Sequence, residues 1–155
     1  TPVLSKLVDF TIAFVILFGL MAWYGITPSL NIVFLPIFIL MMMLTASGIG
    51  MWLSAMAIQY RDIPQGVGFL SQLLMYAAPV VWPISLMGEK FGDGAVILYG
   101  LYPMVGVIEG FRSAILGHNL MPWSLIASGY FSAIVLFISG AFYFKRKERI
   151  FADVA

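Results

Sequence analysis

Apolar residues come in five long blocks separated by short polar stretches. The first runs from 7 to 24 with a single charge, Asp9, and the second from 32 to 58 with none. The third runs from 69 to 87, the fourth from 95 to 116 and the fifth from 123 to 144. Crossing a bilayer takes roughly 17–25 apolar residues, so every block is long enough. The pattern predicts an all-α, polytopic membrane protein forming a single transmembrane unit over 1–155.

Charge placement turns this pattern into a topology. Lys145, Arg146, Lys147 and Arg149 are half of the 8 basic residues and follow the last block. Basic flanks stay cytoplasmic, which puts the C-terminus inside. Lys6 precedes the first block, Arg61 follows the second, and the 25–31 connection between them is uncharged. Two crossings therefore bring the chain back inside at Arg61. Three further crossings would leave the C-terminal cluster outside, so one block does not cross.

The fourth block is the candidate. It holds Glu109 and Arg112, each costing about 2.5–3.5 kcal/mol at a helix centre in lipid. Gly100, Pro103, Gly106 and Gly110 interrupt it. We expect a re-entrant hairpin over 95–116, with one helix ending near Tyr102 and a second opening at Pro103, where proline suits a first turn. Such a turn is tolerated only where protein or water shields it. The alternative is an amphipathic pair on the outer leaflet. The outline is four spans (7–24, 32–58, 69–87, 123–144) plus the hairpin. Trp23, Tyr24, Tyr60, Trp82, Trp123 and Tyr143 fall near the expected interfaces, as an aromatic belt would.

Composition agrees: 62% of residues are hydrophobic and 10% are charged, against about 25% charged in a soluble domain. A net charge of +1 argues against nucleic acid as a partner. The absence of cysteine removes disulfides and thiolate metal sites. The chain opens on Thr1 and carries no signal-peptide pattern there, so it reads as cut from within a longer protein. No phosphate loop, H-E-x-x-H or G-x-S-x-G pattern occurs. His118 lies in a Gly117–Asn119 turn, and the 7 acidic residues are scattered. No catalytic, cofactor or metal site is expected.

Four motifs occur in order. They are Tyr60-Arg61-Asp62-Ile63, Ala77-Ala78-Pro79-Val80-Val81-Trp82-Pro83, the stretch Leu101 to Arg112, and the ending Phe144 to Val154. Together they resemble the C-terminal part of the ABC-2 permeases that export polysaccharides such as O-antigen, capsule and teichoic acid. The family pattern has six spans, and this chain matches spans three to six. It departs at Tyr102, where the family usually has Asn before the proline. Asn would cap the following helix; Tyr does not.

The resemblance implies a permease subunit, not an enzyme, working as a homodimer in the bacterial inner membrane. It exports polysaccharide or lipid-linked glycan with a separate ABC ATPase that holds ATP and Mg. It implies docking of that ATPase on Tyr60, Arg61, Asp62 and Ile63, and an outer gate built from Pro103, Gly106, Glu109, Gly110 and Arg112. Glu109 and Arg112, three apart on a helix, are expected to pair. Gly106 and Gly110 make a G-x-x-x-G that permits close helix approach. Tyr76, Trp82, Tyr99 and Tyr102 are candidate lumen aromatics, since rings offer sugars an apolar face with a polar rim. The basic ending suits anionic membrane lipids. Rival readings are an ABC-2 permease for a drug or small lipid, an ion-coupled secondary transporter, a membrane glycosyltransferase and a scaffold. A secondary transporter would need midplane acids and often repeats, and neither is evident.

Overall fold

The structure is a computed structural model that describes residues 2–79, 84–117 and 121–153. All of its described regular structure is helical: α1 (Pro2–Trp23), a short 3-10 turn (Leu30–Phe34), α2 (Leu35–Gln59), α3 (Ile63–Ala77), α4 (Ile84–Phe91), α5 (Asp93–Gly100), α6 (Pro103–Leu116) and α7 (Trp123–Ala152). Leu4–Trp23, Leu30–Gln59 and Trp123–Ala152 are each long and apolar enough to cross a bilayer. The chain is a polytopic membrane protein.

α2 and α7 form the frame and run parallel. Pairings climb both helices together: Phe34 with Trp123, Ile37 with Tyr130, Gly48 with Leu136, and Trp52 with Ser139 and Tyr143. Midway the backbones touch. A Cβ on Gly140 would lie 2.6 Å from the Gly48 carbonyl oxygen, and one on Gly48 would lie 2.8 Å from Leu136 backbone. Small residues let helices approach this closely in lipid, where packing rather than water exclusion drives association.

α6 runs antiparallel to both and completes the core. Phe38 and Met41 of α2, Val107 and Ala114 of α6, and Ile126 and Ala133 of α7 are buried together. Gly117 ends α6 in the left-handed conformation (φ 67°), which glycine adopts without a Cβ penalty. Its position leaves 2.9 Å between a hypothetical Cβ and Ser29, and the Ser29 N–H donates to the Ile115 carbonyl (3.3 Å). The end of α6 is thus tied to the α1–α2 connection.

α5 and α6 are the expected hairpin segment, bent by 102° at the break between them. The bend sits beside α7: Gly100 packs on Leu125 and Pro103 on Gly129. Gly129 is only about 9 Å along α7 from Trp123 at 1.5 Å per residue. Ser128 Oγ donates to the Gly100 carbonyl (3.1 Å), which satisfies backbone freed at the bend.

The third apolar block takes a different form from the continuous helix read over 69–87. α3 begins earlier, at Ile63, with Pro64 in its first turn, and stops at Ala77. Ala78 is extended (φ −71°, ψ 146°), the conformation imposed on a residue that precedes proline. Pro79 then has no N–H to continue the ladder. α4 resumes at Ile84. Of the three helices long and apolar enough to cross, α1 is the least buried within the fold. It meets α6 through Phe10 and Phe14, whose rings lie 5.7 and 5.5 Å from that of Phe111.

Candidate functional site

A helix that stops inside an apolar segment leaves its last carbonyls without partners. Lipid offers them no hydrogen bonds. The end of α3 is supplied from α5 and the head of α6 instead. Tyr99 Oη donates to the Ala77 carbonyl, and Tyr102 Oη adds a second donor (3.1 Å) to the Leu74 carbonyl, which also accepts the Ala78 N–H. Arg112 Nη2 donates to the Pro79 carbonyl (2.8 Å).

The other guanidinium nitrogen, Nη1, donates to Glu109 Oε1 at 2.7 Å. The same carboxylate oxygen accepts the Ile84 N–H (3.2 Å), which opens α4. An anion at a helix N-terminus is electrostatically favoured. The pair on α6 therefore reaches both the stretch that follows α3 and the start of α4, with Arg112 on the Pro79 carbonyl and Glu109 on the Ile84 amide. Glu109 is buried, at 6% exposure, and Arg112 is half-buried. Among the described residues no buried side-chain nitrogen or oxygen lacks a partner. Charges this shielded are tolerable when paired and hydrogen-bonded, and both conditions hold.

Gly106 and Gly110 set the distance of α6 from its neighbours. They meet two helices, not one. A Cβ on Gly106 would lie 2.8 Å from the Leu125 carbonyl oxygen of α7, and one on Gly110 would lie 2.6 Å from the Phe38 ring of α2. Beside those contacts, Glu109 reaches the start of α4 and Arg112 reaches Pro79, just past the end of α3. Pro103 is buried at the head of α6. The residues expected to form a gate are therefore contiguous: Pro103, Gly106 and Gly110 seat the helix that holds the ion pair.

The remaining expected residues lie elsewhere. Tyr60, Arg61 and Asp62 are exposed between α2 and α3, with Ile63 half-buried as the first residue of α3. Neither Arg61 nor Asp62 makes an ion pair among the described residues. Tyr76 is 67% exposed on α3. Tyr99 and Tyr102 spend their hydroxyls on the end of α3. Trp82 and His118 lie outside the described residues, as does the Val80–Pro83 part of its motif.

The sequence pattern does not show that the two tyrosines act as caps, or that the ion pair reaches both Pro79 and Ile84. Pro79 and Pro83 inside the third block were the available signal. Tyr102 could not be read as a cap for α6, but it caps α3. Also unforeseen was a lock at the far end of the frame, where Trp52 Nε1 donates to Ser139 Oγ (3.0 Å) and the indole stacks on Tyr143 at 4.4 Å.

The sequence profile described as ABC-2 type transporter matches residues 3–116, which is most of the chain and includes α1 to α6. The chain belongs to this family. ABC-2 chains are transport permeases, consistent with the membrane-spanning frame. The chain is similar to the O-antigen export system permease protein RfbA of Myxococcus xanthus, with 23% identity over 94% of this chain and 56% of that protein. It is similar also to an O-antigen export system permease protein RfbA of Klebsiella pneumoniae, with 26% identity over 84% of this chain and 49% of that protein. The chain thus spans about half the length of the curated relatives it matches. No solved structure matches it.

Proposed function

We propose that this chain is part of the permease of an ATP-driven exporter that moves polysaccharide or lipid-linked polysaccharide across the bacterial cytoplasmic membrane. The observation that carries the reading is its similarity, over most of its length, to permeases named for O-antigen export. In this reading two permease copies form the conduit and a separate ABC ATPase binds ATP and Mg.

The α5–α6 pair serves as the outer gate, entering and leaving on the same side. Two features support this. The 102° bend lies close to the start of α7. And α2 and α7 run parallel, so the chain between them returns across the membrane a net odd number of times. One return through α3 and α4, with a hairpin that does not cross, meets that condition. The Glu109–Arg112 pair then couples the gate to α4 and to the stretch after α3: α6 cannot shift without drawing on Ile84 and Pro79.

The exposed turn Tyr60–Ile63 is the ATPase-docking loop, on the cytoplasmic side with the C-terminus. Its two opposite charges are unpaired and suit a polar partner surface. Tyr76 has a free face on which a sugar can stack, whereas Tyr99 and Tyr102 act on the polymer through their rings only.

The test is co-expression of the permease with its ATPase in a strain lacking its own O-antigen permease. Surface polymer together with co-purification of the ATPase is expected. A well-folded permease that binds no ABC ATPase and restores no surface polymer would overturn the reading.

A further inference from the structure

We propose that Phe142, Lys145, Arg146 and Arg149 of α7 form a binding site for the phosphate headgroup of an anionic phospholipid. The four residues follow i, i+3, i+4, i+7 spacing, which puts them on one helix face. They line a single surface cleft of about 240 Å³. All three cations are exposed. None is in an ion pair among the described residues, although Glu148 lies on the same helix and Asp153 directly follows it. Lys147 is not part of the face; its ammonium sits 5.8 Å from the Tyr143 ring centre.

The level of the face fits a lipid. From Trp123 to Phe144, α7 rises about 33 Å at 1.5 Å per residue, and a hydrocarbon core is about 30 Å thick. The three cations therefore begin where hydrocarbon ends. Phe142, 72% exposed, lies one turn deeper, at acyl level. A phosphodiester carries one negative charge and oxygens that guanidinium groups bind in a forked geometry. Its acyl chains then lie along the phenyl ring. An acidic protein surface would match the cations but has no use for an apolar ring below them. The site is independent of the exporter reading, since it needs only that α7 crosses a bilayer.

The experiment is native mass spectrometry of the permease released from nanodiscs holding equal parts of phosphatidylglycerol and phosphatidylcholine. Phosphatidylglycerol should be retained preferentially. Arg146→Gln and Arg149→Gln should each lower that preference roughly five-fold, the factor expected for one basic residue at a membrane surface. Lys147→Gln removes the same charge one residue away and should leave it unchanged; equal losses in all three variants would mean diffuse attraction and overturn the site. Phe142→Ala keeps the charges and should shorten retention of phosphatidylglycerol. Displacement of the lipid by inorganic phosphate alone would overturn the lipid assignment, as would undiminished lipid preference in the Arg variants accompanied by loss of a bound ATPase.

Discussion

The Glu109 carboxylate accepts the backbone N–H of Ile84 at 3.2 Å, across a separation of 25 residues and a helix break. With Arg112 on Pro79 it forms a four-residue clasp, and the clasp ties α6 to the stretch after α3 and to the start of α4.

Removing either member of the pair leaves a shielded charge alone. Glu109→Ala and Arg112→Ala should each destabilise the protein by about 3–5 kcal/mol. The double variant should lose less than their sum, with a coupling of about 1–3 kcal/mol. Unfolding curves of the four proteins in one detergent check this; strict additivity would show that the two charges act apart.

Gly106 and Gly110 should respond differently to the same methyl group. Gly106→Ala drives a Cβ against the Leu125 carbonyl, and backbone in a packed helix has nowhere to go. Gly110→Ala meets the Phe38 ring. Each overpacking should cost about 1–3 kcal/mol. Phe38→Leu should restore stability to Gly110→Ala and not to Gly106→Ala, as thermal unfolding of the paired variants will show.

Tyr102→Phe keeps the ring and deletes one donor. The Leu74 carbonyl still receives the Ala78 N–H (3.1 Å), so the loss should be small, about 0.5–1.5 kcal/mol. Polymer export should persist if the ring itself contacts sugar. Tyr102→Ala should lose both stability and export, and comparing melting temperature with surface polymer in the two variants separates the roles.

Reversing both charges of the proposed docking turn, Arg61→Glu with Asp62→Arg, should change stability by less than about 0.5 kcal/mol, since both side chains are exposed. ATPase co-purification should nonetheless be lost. Full retention of the ATPase would remove the turn from the coupling machinery.

The helical membrane frame was legible because block length and charge asymmetry are strong signals in lipid. The interruption at Pro103 and the i,i+3 relation of Glu109 and Arg112 were equally readable, being local. What escaped was non-local. Nothing adjacent to Glu109 points to Ile84, and nothing near Tyr102 points to Leu74. The third block reads as one span because its apolar character hides the proline at 79, which stops a helix without breaking the apolar run. The parallel pairing of α2 and α7 was likewise invisible, since Gly48 and Gly140 are matched only through the folded chain.

That glycine contact has a mechanical consequence. With no side chain between them at the crossing, and with Trp52 locked to Ser139 farther along, α2 and α7 cannot slide along each other without backbone collision. They behave as one stiff beam. Compliance in any working cycle is then left to the parts hung on it: α1, held mainly by a few phenyl rings, and the start of α4, held by the clasp.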